Sequence, residues 1–178
     1  PDRIVIDLDP FADNFGALKG SLGKLKEYLD ALNITSYPMT TGSKGFHILI
    51  PVLPEKTYEE IRAILSGHTQ KLAEIYPHDF TTATRKVKRG KLIYLDVQRN
   101  GYGQTSVAPY SLRAKTYAPV ATPVTWEEAL SPDISPREYT MGNILKRMSQ
   151  TNNPWPGYFY KEIASENLKA ISTKLEAV

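Results

Sequence analysis

Apolar and polar positions alternate at the start of the chain and then change period. Ile4, Ile6 and Leu8 alternate with Val5, Asp7 and Asp9 ahead of Pro10. Successive strand side chains point to opposite faces. The pattern therefore predicts a strand that anchors Ile4, Ile6 and Leu8 in a core, turns Val5, Asp7 and Asp9 to the other face, and stops at the proline. Leu18, Leu22, Leu25, Leu29 and Leu32 follow at alternating four- and three-residue steps, which predicts an amphipathic helix packed on a core. A polar turn, Thr41 to Gly45, leads into a second strand over 46–52, closed by Pro54. Thr57 and Glu60 have capping-box spacing. The helix they open carries Ile61, Ile64, Leu65, His68, Leu72 and Ile75 on one face, and Pro77 ends it.

The second half is less regular. A basic stretch, Arg85 to Lys91, precedes a third strand over 92–97 that ends in Asp96. Asn100-Gly101 is a strong turn signal, and 104–108 is expected as a fourth strand, antiparallel to the third. From Tyr117 to Pro136 the chain is studded with prolines, with a short helical turn expected at Trp126-Glu127-Glu128. Closing helices are expected over 139–148 and 158–175. No internal repeat or low-complexity linker interrupts the chain. The sum is one α+β domain over 1–178, helices packed on a mainly antiparallel sheet.

Composition narrows the function classes. The chain has 178 residues, 41% of them apolar and 23% charged, so it is long enough for a sizeable core and too apolar for a disordered polymer. It contains no run near the roughly 20 apolar residues of a membrane span, so no membrane partner is expected. With no cysteines, disulfides, thiolate metal sites and cysteine nucleophiles are excluded. Its three histidines make a multi-histidine metal cage an unattractive reading. The net charge of +3 is compatible with a nucleotide or nucleic-acid partner. The chain opens at Pro1 without a methionine, as a trimmed piece of something longer would.

Several clusters carry candidate chemistry. Asp7 and Asp9 share a strand face and are hard oxygen donors suited to divalent cations; two solvated acids at a strand end have the same pattern. If the third strand lies beside the first, Asp96 joins them as a third carboxylate. In the turn 41–45, Gly42 and Gly45 let the backbone bend and present N–H groups to phosphate oxygens. Thr41, Ser43 and Lys44 add donors, and His47 follows one residue into the strand. The spacing is not that of a Walker loop, and an ordinary hairpin turn remains open. Arg85, Lys86, Lys88, Arg89 and Lys91 suit contact with a phosphate backbone, or simply a solvated edge. Arg113, in a turn after Pro109, suits a bidentate grip on phosphate. His68 reads as a core histidine on an apolar helix face, and His78 as a loop residue.

Four segments taken together resemble a known family: Ile-Asp-Leu-Asp-Pro at 6–10, Thr-Thr-Gly-Ser-Lys-Gly-Phe-His at 40–47, Asp-Val-Gln-Arg-Asn at 96–100 and Val-Ala-Pro-Tyr-Ser-Leu-Arg at 107–113. Their order and spacing are similar to those of the polymerase domain of bacterial ligase D and its stand-alone relatives in the archaeo-eukaryotic primase superfamily. The segments Thr-Pro-Val-Thr-Trp-Glu-Glu at 122–128 and Asn-Pro-Trp at 153–155 extend the resemblance over nearly the whole chain.

The resemblance implies a primase-type catalytic core, an RRM-like sheet flanked by helices. It implies a metal-dependent, DNA-templated nucleotidyltransferase that fills gaps and extends ends in non-homologous end joining. Expected cofactors are two Mn2+ or Mg2+ ions, with nucleoside triphosphates, ribo- or deoxyribo-, as substrates. Expected partners are DNA ends as primer-template or gapped DNA, Ku and a DNA ligase domain, in the cytoplasm of a prokaryote near its nucleoid. Asp7, Asp9 and Asp96 become the catalytic metal triad. Thr41, Gly42, Ser43, Lys44, His47 and Arg113 become the triphosphate site, and Arg89 and Lys88 the basic contacts near it. The family carries a long segment ahead of its Asp-x-Asp strand, so the chain is expected to be a fragment, or a reduced version, of a larger domain. Its turn reads Thr-Gly-Ser-Lys-Gly where many relatives have Ser-Gly-Gly-Lys-Gly, with a hydroxyl kept at Thr41. Two other classes remain: a non-catalytic nucleotide or DNA-end binding module of a larger ATP-dependent ligase, and a metal-dependent phosphohydrolase.

Overall fold

The computed structural model describes residues 1–11 and 15–173. Among these, six strands form one sheet in the order β4-β5-β1-β3-β2-β6. The strands are β1 (Arg3–Asp9), β2 (Tyr37–Thr40), β3 (Phe46–Pro51), β4 (Phe80–Thr81), β5 (Ile93–Asp96) and β6 (Thr122–Pro123). Every neighbouring pair is antiparallel except β4 with β5. The helices are α1 (Phe15–Ala31), α2 (Tyr58–Ile75), α3 (Trp126–Leu130), α4 (Ile144–Gln150) and α5 (Lys161–Ser172). No helix of the described residues is long and apolar enough to cross a membrane.

Alternation in the strands assigns the two faces. Ile4, Ile6 and Leu8 of β1, Phe46, Ile48 and Ile50 of β3, and Ile93 and Leu95 of β5 form one apolar face. It is covered by Leu18, Leu22, Leu25 and Leu29 of α1, Ile61, Leu65 and Leu72 of α2, and Leu168 and Ile171 of α5. Each fully buried aliphatic side chain contributes about 1.5–3 kcal/mol relative to its exposed state, so this layer carries the stability. The opposite face divides in two. Tyr37, Met39, Leu49 and Ala121 lie under Trp155 and Tyr158. Trp155 is fastened there by its indole N–H, which donates to the Pro38 carbonyl at 3.0 Å. The rest of that face, toward β1 and β5, is polar.

Helix boundaries follow local chemistry. At α2, Thr57 accepts the Glu60 N–H and Glu60 accepts the Thr57 N–H, closing the expected capping box. Thr125 and Glu128 close a second one on α3, turning the expected helical turn at Trp126 into a short helix. Helix α1 stops at Ala31 because Asn33 takes φ 57°, the left-handed conformation that asparagine tolerates and that closes a helix C-terminus. Leu32 therefore lies just past the helix rather than on it, and Ile75, expected on the core face of α2, is 40% exposed at its last turn.

Other expectations need correction. Residues 104–108 form no strand; they run as coil along the polar face. The signal at Asn100-Gly101 is not a hairpin. Gln98–Asn100 is one turn of 3-10 helix, and the Asn100 side chain serves as a substitute strand residue. Its Oδ1 accepts the Val5 N–H at 2.8 Å and its Nδ2 donates to the Val5 carbonyl at 2.7 Å, past the point where β5 ends. The helix expected from Tyr139 begins only at Ile144, because the Tyr139 carbonyl accepts the Val120 N–H. The helix expected from Tyr158 begins at Lys161, and its last two expected residues, 174 and 175, lie outside the described residues. Strands β2, β4 and β6 carried no signal of their own: two hold two residues each, and β2 is buried on both sides and shows no alternation.

Candidate active site

The register of three strands builds the polar face. Asp7 pairs across with Asp96 on one side and with His47 on the other, so the three side chains stand in one row. Asp9, two residues along β1, shares their face. They open into a cleft of about 470 Å³ whose far wall is formed by Ser43, Lys44, Leu112 and Arg113.

The turn between β2 and β3 is built by two glycines, for different reasons. Gly42 has φ 63°, and a Cβ there would lie 2.8 Å from Cγ of Arg113. Gly45 packs against the end of β1 so closely that a Cβ would lie 1.9 Å from the Leu8 carbonyl oxygen. This contact ties the turn to the strand that carries Asp7 and Asp9. Thr41 is buried, and its hydroxyl works within the turn: it donates to the Gly45 carbonyl at 2.8 Å and accepts the Ser43 N–H at 3.2 Å. Two arginines brace the turn from outside. Arg113 donates to the Thr41 carbonyl at 3.2 Å, and Arg137 donates to the Ser43 carbonyl at 2.8 Å. Lys44 is exposed on the cleft wall.

The charges in the cleft are not in balance with their surroundings. Burial pushes the Asp9 carboxyl above its ordinary range and the Asp7 charge pushes it further, while Arg89 pulls it partly back. Arg89 donates to Asp9 Oδ2 at 3.1 Å and to the carbonyls of Ala83 and Thr84, and its guanidinium lies 3.7 Å from the centre of the Tyr94 ring. It is therefore a fixed partner of Asp9, whereas Lys88 is exposed and lies outside the cleft lining. His47 is 4% exposed; its Nε2 stands 3.5 Å from Asp7 Oδ2. Its Nδ1 has no hydrogen-bond partner, which is unusual for a buried polar atom. Asp96 accepts the Gln98 N–H at 2.8 Å.

As oriented, no three histidine or acidic side chains among the described residues converge on a single metal position. The carboxylates are turned toward Arg89, the Gln98 N–H, His47 and Arg99. Their chemistry nevertheless fits divalent cations: three oxygen-donor side chains share a face of two paired strands, and Asp9 is raised first by burial and then by the Asp7 charge, both of which a cation would offset. Asp9 uses Oδ2 toward Arg89 and Asp96 uses Oδ1 toward the Gln98 N–H, so each carboxylate has a second oxygen outside these bonds. His68 is a neutral core residue, bonded to the Tyr28 hydroxyl at 2.9 Å and the Ile171 carbonyl at 2.8 Å. His78 lies in the turn after α2, outside the cleft lining. Arg99, to which sequence reasoning assigned no role, lies at the cleft edge with Nε 3.7 Å from Asp7 Oδ2. The available signal was its place three residues after Asp96, at a turn.

The family model for the LigD primase-polymerase domain matches residues 1–155. The bifunctional non-homologous end joining protein LigD of Bacillus subtilis is 35% identical over 178 residues, which cover 99% of this chain and 29% of that protein. The multifunctional non-homologous end joining protein LigD of Mycolicibacterium smegmatis is 31% identical over 150 residues, 83% of this chain and 19% of that protein. The chain thus spans less than a third of the length of these relatives. Among solved structures, the polymerase domain from Mycobacterium tuberculosis ligase D in complex with DNA superposes with a TM-score of 0.76 at 28% identity, covering 84% of this chain and 52% of that one.

Proposed function

The chain belongs to the LigD primase-polymerase domain family, and on that footing we propose that it performs metal-dependent, DNA-templated nucleotidyl transfer, filling gaps and extending ends in non-homologous end joining. The observation that carries this reading is the row His47, Asp7 and Asp96, with Asp9 beside it, facing a cleft wall that holds Lys44 and Arg113. Clustered carboxylates opposite clustered cations suit a reaction on a polyphosphate, and a site for neutral or purely anionic ligands has no use for both.

Asp7, Asp9 and Asp96 would hold two Mn2+ or Mg2+ ions. Bound there, such ions supply Lewis acidity to an acceptor 3′-hydroxyl and neutralise charge on the leaving pyrophosphate. The remaining work falls to the chain. Lys44 and Arg113 hold the triphosphate as charge shifts along it. His47, which lines the cleft beside Asp7, suits contact with a phosphate oxygen. Thr41, Gly42 and Ser43 shape the turn that carries Lys44. Arg89 holds Asp9 in place, while exposed Lys88 suits a nucleic-acid backbone at the rim. In a cell the same reading places the chain at DNA ends with Ku and a DNA ligase activity, in the prokaryotic cytoplasm.

Calorimetric titration of a non-hydrolysable ATP analogue in the presence of Mn2+ tests the site. Binding by the wild-type chain and its loss in the Asp7→Ala/Asp9→Ala variant are expected, followed by pyrophosphate release in primer extension. A folded wild-type chain that binds no nucleotide, or that releases inorganic phosphate instead of pyrophosphate, overturns the proposal.

A further inference from the structure

Arg137 belongs to the proline-studded stretch in which the sequence signals no chemistry, yet the fold brings its side chain to the turn 41–45. The backbone around it is tied down on both sides. Before it, Ile134 and Pro136 are buried, and the Ser135 hydroxyl accepts the Arg137 N–H at 3.3 Å. After it, the Asn143 amide donates to the Glu138 carbonyl at 3.0 Å and accepts the Thr140 N–H at 2.7 Å. Residues 139–141 then run beside 118–120. The Tyr139 carbonyl accepts the Val120 N–H at 2.7 Å, and the Met141 N–H donates to the Ala118 carbonyl at 3.0 Å. The Arg113 N–H in turn donates to the Pro119 carbonyl at 2.8 Å. The strap 135–143 thus joins the loop that carries Arg113 to the turn that carries Lys44.

The join to the turn is made by the Arg137 side chain, whose Nε donates to the Ser43 carbonyl at 2.8 Å. Other bonds close the turn on itself. The Thr41 N–H and hydroxyl both donate to the Gly45 carbonyl, and the Ser43 N–H donates to the Thr41 hydroxyl. The Ser43–Lys44 peptide lies between these ties. A peptide unit is planar and rigid, so a fixed Ser43 carbonyl fixes the plane from which the Lys44 Cα departs. A guanidinium donor makes the bond charge-assisted, stronger than a neutral one. Lys44 lines the cleft and Arg137 does not. Arg137 therefore reaches a ligand there through the turn, not by contact. A lysine on a loosely held turn loses more freedom when it closes on a ligand, and a braced turn removes part of that cost.

We propose that Arg137 is a positioning residue for polyphosphate binding: it holds the Ser43–Lys44 peptide so that the Lys44 ammonium is already placed at the cleft when the ligand arrives. The proposal rests on the nucleotidyl-transfer reading, which sets a triphosphate against Lys44. Calorimetric titration of the non-hydrolysable ATP analogue with Mn2+ into two variants tests it. Arg137→Met keeps the aliphatic stem and loses both donor and charge. Its affinity is expected to fall by about three- to ten-fold, the usual size of one hydrogen bond. Arg137→Gln places its amide nitrogen where the arginine Nε stands, after the same run of side-chain carbons, so it keeps the donor without the charge. It is expected to bind within about two-fold of wild type.

Wild-type affinity in Arg137→Met overturns the inference, because the brace then does not matter to the ligand. Equal losses in both variants also overturn it, since the arginine would then act by its charge and not by the bond to Ser43. So does a thermal midpoint lowered by more than about 5 °C in Arg137→Met, the mark of a bond that serves the fold as a whole. An unchanged midpoint is expected because the side chain is exposed. A wild-type chain that binds no analogue overturns nucleotidyl transfer and this inference with it. Intact wild-type binding with a failed variant series overturns only the role of Arg137.

Discussion

Replacing Asn100 with alanine removes the clamp between the 3-10 turn and β1. The side chain is 5% exposed and makes three bonds: from the Val5 N–H at 2.8 Å, to the Val5 carbonyl at 2.7 Å and to the Val97 carbonyl at 2.9 Å. The Val97 carbonyl keeps a partner in the Asn100 backbone N–H. Both backbone groups of Val5, a residue 4% exposed, lose theirs. A buried group left unsatisfied costs about 1–3 kcal/mol. Two such groups, partly relieved by water entering the vacated space, give about 2–4 kcal/mol. For a chain of this size that lowers the thermal midpoint by roughly 5–15 °C. Thermal and urea unfolding of Asn100→Ala, with Gln98→Ala as an exposed neighbour that should stay within about 0.5 kcal/mol of wild type, reads the difference. Asn100→Asp is the sharper variant: it has the same size and keeps an acceptor, but it can donate to neither carbonyl. It should be at least as unstable as the alanine variant. Wild-type stability in Asn100→Asp would refute the clamp, because volume would then be all that mattered.

Two further outcomes follow from the same geometry. In Gly45→Ala the new methyl meets the Leu8 carbonyl, where the unperturbed backbone leaves 1.9 Å, so the turn and the end of β1 must separate. We expect a loss of about 2–4 kcal/mol together with weaker nucleotide binding, whereas Gly20→Ala, with nothing within 4 Å and a helical position, should stabilise by roughly 0.5–1 kcal/mol; equal midpoints for the two variants would contradict the contact. His68 is held neutral by burial, which places its folded pKa below the ordinary 6.5. The unfolded chain therefore binds more protons below that value, so stability is complete above about pH 6.5 and falls as pH drops through the folded pKa; urea unfolding of His68→Gln across this range should show a flatter profile, and an unchanged slope would rule the histidine out as its source.

The sheet's apolar face was legible because period-two alternation in β1, β3 and β5 reports one buried side directly. The two long helices were legible for the matching reason at the helical period. The segment 98–107 was misread because Asn100-Gly101 has the composition of a hairpin turn while the asparagine amide is used elsewhere. Which backbone a side-chain amide bonds, 95 residues away, is a tertiary fact that no local pattern carries. The same holds for Arg89. Its place in a basic run suggested contact with an external phosphate, but the fold directs it to Asp9 and the Tyr94 ring. Thr41 stood out as a phosphate donor and proves to hold the turn that carries Lys44.

The acids were identifiable as a set because the core determines their register. Asp7 pairs with His47 and Asp96, and the next row pairs Leu8 with Phe46 and Leu95. Those three apolar residues are 0%, 1% and 2% exposed. Strand side chains alternate, so a slip of one residue in β1 would drive Leu8 into the cleft and bury Asp7 and Asp9 under α1 and α2. Burying unpaired carboxylates in an apolar layer costs several kcal/mol each, on top of the lost burial of Leu8. Repulsion between Asp7 and Asp9 is thus tolerated in a site that the hydrophobic face holds in place. The energy that positions the chemistry is supplied on the other side of the sheet, and this is why apolar alternation placed Asp7 and Asp9 on one face, which Asp96 joins because β5 pairs with β1.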